Sequence, residues 1–154
     1  MRPLVTTSLS LLTAIPALAQ PLSFTESAAS LGCTHTFSPN PGYPGTHDQM
    51  VGGLTVADFN HDGRPDLYAL GGGDQPDRLF LNTSENGIPS FAEADPSPAG
   101  WNLPAPHRGA SLAAGDVNRD GLIDLYIVSY GPAGEPRVNN ASMLLLNRGG
   151  RFER

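Results

Sequence analysis

Lysine is absent from the 154 residues, and cysteine occurs once, as Cys33. The missing lysine excludes a P-loop, a Schiff-base amine and a serine–lysine nucleophile pair together. A single thiol cannot form an internal disulfide, so packing or a bound ion has to hold the fold. Positive charge is scarce: nine arginines face 15 acids, giving a net charge of −6, which argues against a nucleic-acid partner. Aromatics make up only 7% and charged residues 16%, while Gly (18) and Pro (15) fill about a fifth of all positions. Such a composition favours turns and excludes long helices.

Long apolar runs are also few. Arg2 precedes an apolar stretch from Leu4 to Leu18 that closes with Ala17-Leu18-Ala19. The stretch is too short for a membrane anchor and has the form of a secretory signal cleaved after Ala19. The remaining 135 residues are expected to be secreted or periplasmic, without a membrane span. Ser30-Leu31-Gly32-Cys33 makes a poor lipidation site, since the Cys lies 14 residues past the better cleavage point.

The chain repeats itself. Leu54–Leu70 aligns without gaps on Leu112–Val128, with eight of 17 positions identical. Leu79-Phe80-Leu81-Asn82 recurs as Leu144-Leu145-Leu146-Asn147, and Ser23-Phe24-Thr25-Glu26 recurs as Ser90-Phe91-Ala92-Glu93, with Phe152-Glu153 opening a third copy. A period near 60 residues is too long for helical hairpins and fits four short strands with loops. Leu54–Phe59, Leu67–Leu70, Arg78–Asn82 and Phe91–Ala94 read as those strands. Leu125–Val128 and Leu144–Leu146 are apolar on both faces, so both faces need cover, as in stacked β-propeller blades. The expected organisation is a signal at 1–19, a lead-in at 20–50 with a strand completing a blade, a first repeat at 51–95, a connecting loop at 96–108 and a truncated second repeat at 109–154.

Within each repeat, Asp58-x-Asn60-x-Asp62-Gly63-x-x-Asp66 and Asp116-x-Asn118-x-Asp120-Gly121-x-x-Asp124 gather three carboxylates in nine residues. Like charges so close repel unless a cation neutralises them. All-oxygen donors at positions 1, 3, 5 and 9, with the carbonyl of Arg64 or Leu122 at position 7, suit Ca²⁺ better than Mg²⁺. An EF-hand shares the first six positions but needs an acid at the twelfth, where Ala69 and Ile127 stand, and the flanks are β-forming. Simple Asx turns are the other reading of these loops.

With these residues in view, the chain resembles the FG-GAP/VCBS repeat proteins, which build the integrin-α-type β-propeller. The string running from Ala57-Asp58-Phe59-Asn60 through Arg78–Asn82 to Ser90–Glu93 looks most like the cartilage-acidic-protein/UnbV-type branch. The resemblance covers residues 23–154 and implies an all-β fold of about two four-stranded antiparallel blades from a larger, seven-bladed propeller. It implies Ca²⁺ bound by Asp58, Asn60, Asp62 and Asp66, and by Asp116, Asn118, Asp120 and Asp124, bracing the blades while ligands engage other surfaces. A closed ring needs several more blades, so this chain is expected to be an N-terminal fragment or to associate with itself.

The remaining residues carry little chemistry. His35, His47, His61 and His107 show no metal-ligand spacing, and Gly71-Gly72-Gly73 lacks the helix and lysine of a phosphate cradle. Asn82 and Asn140 head glycosylation sequons, although Asn82 has its counterpart in Asn147, which points to a strand-end turn. Trp101 and Tyr43 read as loop anchors. No nucleophile–base pair is recognisable, so an enzyme is not expected. The expected function is a secreted Ca²⁺-braced module for binding or adhesion. Its protein or glycan partner would engage the connections at 71–77, 96–109 and 131–142, opposite the acidic loops. The alternative is a non-catalytic accessory portion of an exported enzyme.

Overall fold

The computed structural model describes residues 23–37, 52–73, 75–132 and 142–154. The proposed signal at 1–19, His47, Tyr43 and Asn140 lie outside these residues. Strands β1 (Leu54–Ala57), β2 (Asp66–Ala69), β3 (Arg78–Asn82) and β4 (Phe91–Glu93) form one antiparallel sheet in chain order. A second sheet repeats that order with β5 (His107–Gly115), β6 (Asp124–Pro132), β7 (Met143–Asn147) and β8 (Phe152–Glu153). The strands follow the apolar β-forming runs, and each ends at the Gly, Pro, Asn and Asp clusters that cannot continue a ladder. One short helix, α1 (Ala28–Leu31), precedes them.

Register assigns the two faces of each sheet. Tyr68 pairs with Thr55 and Leu79, and Tyr126 pairs with Ala113 and Leu144. Alternation places Leu67 and Phe80, or Leu125 and Leu145, on the opposite faces. The repeat aligns Tyr68 with Tyr126 and Leu79 with Leu144, yet Tyr68 and Leu79 are fully buried while Tyr126 is 45% and Leu144 42% exposed. Sheet one buries its tyrosine face, and sheet two buries the opposite face, with Leu125, Ile127, Leu145 and Phe152. The sheets therefore stack head to tail. Their first strands lie side by side, the amide of Gly52 donating to the Gly109 carbonyl at 2.7 Å.

The core between the sheets centres on Phe152 of β8, whose ring packs on Phe59 (5.9 Å), Tyr68 (6.2 Å) and Trp101 (5.4 Å). Trp101 sits in the connection between the sheets and is buried, as its reading as a loop anchor requires. Two four-stranded up-and-down sheets stacked face to face are β-propeller blades, and the all-β expectation holds.

The strand expected at Ser23–Glu26 is not formed. That segment pairs with no strand, and Phe24 is 94% exposed. The reason is topological: β3 and β7 are each already paired on both sides, so neither sheet has a place for another fourth strand.

Candidate functional site

Both acidic segments join the first two strands of a sheet, at the same end of the stack. Asp58 ends β1's extended run, and its two carboxylate oxygens accept the amides of Asp62 (3.0 Å) and Gly63 (2.8 Å). Asn60 Oδ1 also accepts from the Asp62 amide, while Asn60 Nδ2 donates to Asp62 Oδ2 at 2.9 Å. Asp62 Oδ1 accepts the amide of Arg64 at 2.9 Å. Asp116, Asn118, Asp120, Gly121 and Leu122 reproduce every one of these bonds. The tight turn needs left-handed backbone at Gly63 (φ 84) and Gly121 (φ 87), as glycine there foretells. It also places His61 (φ 59) and Arg119 (φ 64) in that region, which nothing in their residue types announces.

The ninth position behaves differently from the others. Asp66 and Asp124 are buried at the base of their loops. Asp66 Oδ2 accepts the amides of Phe59 (2.9 Å) and Asn60 (3.4 Å), and its Oδ1 accepts that of Asn82 (2.8 Å). Asp124 likewise accepts from Val117 (3.0 Å) and Asn147 (2.8 Å). Burial lifts the Asp66 carboxyl above its ordinary range, and the three amides draw it only part of the way back.

Charge compensation is visible at the fifth position. Desolvation raises the Asp62 carboxyl, but the Asn60 amide, the Arg64 amide and the Arg64 guanidinium (2.7 Å) outweigh it and leave it below the usual value. At Asp120 the Leu122 amide and the Asn118 side chain lower the carboxyl, with Arg148 adding to them from 3.8 Å.

The donor chemistry of each loop, oxygen throughout, fits a hard cation, and each carboxylate oxygen holding one amide keeps a lone pair free. As the side chains stand, each acid is caught by backbone amides, and among the described residues no three His, Cys, Asp or Glu side chains are grouped closely enough to hold a metal. Asp58, Asn60 and Asp62 share one turn, Asp66 lies beneath it, and the arrangement repeats in the second loop. The hairpin flanks remove the EF-hand reading, because both loops join strands rather than helices.

Asn82 and Asn147 are the partners that sequence reasoning underrated. Asn82 Nδ2 donates to the Pro65 carbonyl at 2.9 Å, and its Oδ1 accepts the Ser84 amide at 3.0 Å. Its side-chain amide is thus engaged at a strand-end turn, as its correspondence with Asn147 suggests. Asn147 Nδ2 bonds the carbonyls of Ile123 (3.2 Å) and of Phe59 (2.7 Å) in the other repeat, tying the two acidic loops together.

A buried polar cluster occupies the opposite end, near the 71–77 connection. Asp77 Oδ2 accepts from Tyr68 Oη at 2.9 Å and faces His107 Nε2 at 2.9 Å, while its Oδ1 accepts the Gly71 amide at 3.0 Å. His107 Nδ1 lies 3.3 Å from Ser129 Oγ. Tyr68 and Asp77 belong to sheet one, and His107 and Ser129 to sheet two, so the cluster clamps the sheets. The second repeat has Ser142 where the first has Asp77, so the clamp is unrepeated and escapes a search for repeats.

Burial and the Asp77 charge push the Tyr68 phenol well above its ordinary value of 10.0. An unfolded chain ionises it near 10, so its contribution to stability is complete below that pH and is lost as pH rises through the folded value. In an alkaline spectrophotometric titration, one tyrosinate signal should emerge only together with loss of near-UV dichroism, and Tyr68→Phe should remove it. Ionisation of Tyr68 in a still-folded protein would contradict this geometry.

Two stacked blade sheets carrying twin acidic hairpin loops define a repeat protein of the β-propeller type. Compared with known families, residues 58–127 match the model described as an FG-GAP-like repeat, a span running from the first acidic loop into β6. No curated protein matches the chain.

Proposed function

We propose that this chain is an exported, non-catalytic binding module whose two acidic loops each take a Ca²⁺ ion that braces the blades. The observation that carries the reading is the pair of loops with the same donor set and the same hydrogen bonds, side by side at one end of the stack and joined through Asn147. Asp58, Asn60, Asp62, Asp66 and the Arg64 carbonyl would hold one ion; Asp116, Asn118, Asp120, Asp124 and the Leu122 carbonyl would hold the other. A bound divalent ion adds positive charge to three neighbouring acids that otherwise have one arginine beside them, Arg64 or Arg148. Asp58 and Asp62 fix the turn, while Asp66 anchors it to the end of β3.

A protein or glycan partner is assigned to the other end of the stack, where the 71–77 connection and the entry to β5 emerge; the 131–142 connection expected beside them lies mostly outside the described residues. Antiparallel connections alternate ends, so ion binding and partner binding use separate surfaces. Export rests on the charged, apolar and small-residue pattern of residues 1–19.

Extracellular oxygen-ligand sites bind with Kd near 10⁻⁴–10⁻³ M, so 1 mM Ca²⁺ should stabilise the fold by about 0.4–1.4 kcal/mol per site. The melting temperature should rise with Ca²⁺ and fall with chelator, with Mg²⁺ much less effective. Asp62→Ala and Asp120→Ala should each remove about half of that rise while leaving partner binding at the far end intact. Loss of partner binding with an unchanged Ca²⁺ response would instead make the loops the ligand site.

A further inference from the structure

One peptide unit of the first acidic loop is held from both repeats. The Phe59 carbonyl accepts from Asn147 Nδ2 at 2.7 Å, and the Asn60 amide of the same unit donates to Asp66 Oδ2 at 3.4 Å. The Phe59 amide donates to that same oxygen at 2.9 Å. On the other side, the main-chain amide of Asn147 donates to Asp124 Oδ1 at 2.8 Å. Asp66 and Asp124, the ninth positions of the two loops, are thus linked by an unbroken run of hydrogen bonds that passes through Asn147. Asn147, Phe59 and Asp66 are fully buried and Asp124 nearly so, so solvent does not readily replace a link that opens, and each bond polarises the next.

The surroundings hold Asn147 to this task. Its Nδ2 also donates to the Ile123 carbonyl, and its Oδ1 accepts the amides of Gly149 and Gly150. The side chain therefore cannot swing away from Phe59 without breaking bonds in its own repeat. The Phe59 ring packs on Phe152, the register partner of Asn147, so sheet two grips the second position of loop one by carbonyl and ring together. Val117, the same position of loop two, is 58% exposed. Asn82, the counterpart of Asn147, bonds Pro65 and Ser84 and, among the described residues, shows no bond to the other repeat.

We propose that Asn147 couples the two acidic loops, so that filling either with Ca²⁺ raises the affinity of the other. The proposal rests on the ion reading of the loops given above. Two states differ in the Asn147 to Phe59 bond: closed, with both ninth carboxylates held in place, and open, with each loop ordering alone. Ordering either loop favours the closed bond, so the second loop fills with part of its ordering already done. Linkage makes the effect equal in both directions. For loops of like affinity, a coupling of about tenfold lowers each midpoint by its square root, about threefold.

Nuclear magnetic resonance tests it, with the Gly63 and Gly121 amides reporting the two loops separately as Ca²⁺ is added to chelator-treated protein. Asp120→Ala should raise the Gly63 midpoint about threefold, and Asp62→Ala should raise the Gly121 midpoint by a like factor. In Asn147→Ser, the Gly63 midpoint should be the same with and without Asp120→Ala, completing a double-mutant cycle. Asn82→Ser, the matching change without a bond across the repeats, should keep the dependence. Where circular dichroism shows Asn147→Ser to be unfolded, the side-chain amide protons of Asn147 are followed in Asp120→Ala instead, and should shift as loop one fills. Their standing still overturns the proposal, as does dependence that survives in folded Asn147→Ser. Two loops that both fill, with a Gly63 midpoint indifferent to Asp120→Ala, overturn the coupling and leave the ion reading in place. No response of either glycine to Ca²⁺ overturns the ion reading itself, and the coupling with it.

Discussion

Phe152→Ala is expected to cost about 3–5 kcal/mol, because it empties the centre of the inter-sheet core. The ring is fully buried and contacts Phe59, Tyr68 and Trp101, so its loss opens a cavity bounded by rigid aromatic groups from the first repeat and the connection between the sheets. Against the 5–15 kcal/mol typical of a whole domain, that loss should bring the fold close to unfolding. The same motif supplies two controls: Phe91 is only half-buried and Phe24 is 94% exposed. Urea unfolding should rank the three alanine variants in that order, with Phe24→Ala near wild type. Equal effects at Phe91 and Phe152 would contradict the head-to-tail stacking, which covers Phe152 and leaves Phe91 on the face of its sheet turned away from the core.

Asp77→Ala should be nearly as damaging, about 3–5 kcal/mol, through a different cause. The carboxylate is 2% exposed and accepts from the Gly71 amide, the Tyr68 hydroxyl and His107. Its removal leaves three buried donors without an acceptor, and a buried polar network with one partner missing is costlier than none. A double-mutant cycle with His107→Gln should return a coupling energy of about 1 kcal/mol or more, since the two residues are in direct contact across the sheets. Additive losses in denaturant unfolding would show that the two sheets are not joined through this pair.

The fold was largely legible because its signals are local. The Leu54–Leu70 and Leu112–Val128 alignment placed the hairpins, and the Asn–Asp–Gly turns bounded the strands of the first sheet to within two residues, whereas β6 runs four residues past Val128. The two-sided apolar runs at Leu125–Val128 and Leu144–Leu146 pointed to stacking. Stacking direction was hidden, since Tyr68 and Tyr126 are identical in sequence and only the neighbouring sheet makes one buried and the other exposed. Within the described part of the lead-in, Ser23-Phe24-Thr25-Glu26 copies a fourth strand and forms none, because a strand also needs an edge to pair with, which no local pattern reveals.

At the candidate site, the acidic loops were legible from spacing, whereas their internal bonding was not. Position 9 reads as one more ligand, yet Asp66 and Asp124 also serve as buried acceptors for the amides of Asn82 and Asn147, which lie 16 and 23 residues further on. Asn147 reaching Phe59 across the two repeats, and His107 reaching Asp77, join residues 88 and 30 positions apart. Contacts at such separations follow from packing, and no repeat or motif encodes them.

Calorimetric titration of chelator-treated, folded protein with Ca²⁺ is the most direct test of the account. It predicts about two ions per chain, one lost in Asp62→Ala, one in Asp120→Ala and both in the double variant, in keeping with one oxygen-donor site per loop. No Ca²⁺ uptake by a folded sample, or uptake that survives in the double variant, would contradict it and leave the loops as Asx turns held by their own amides.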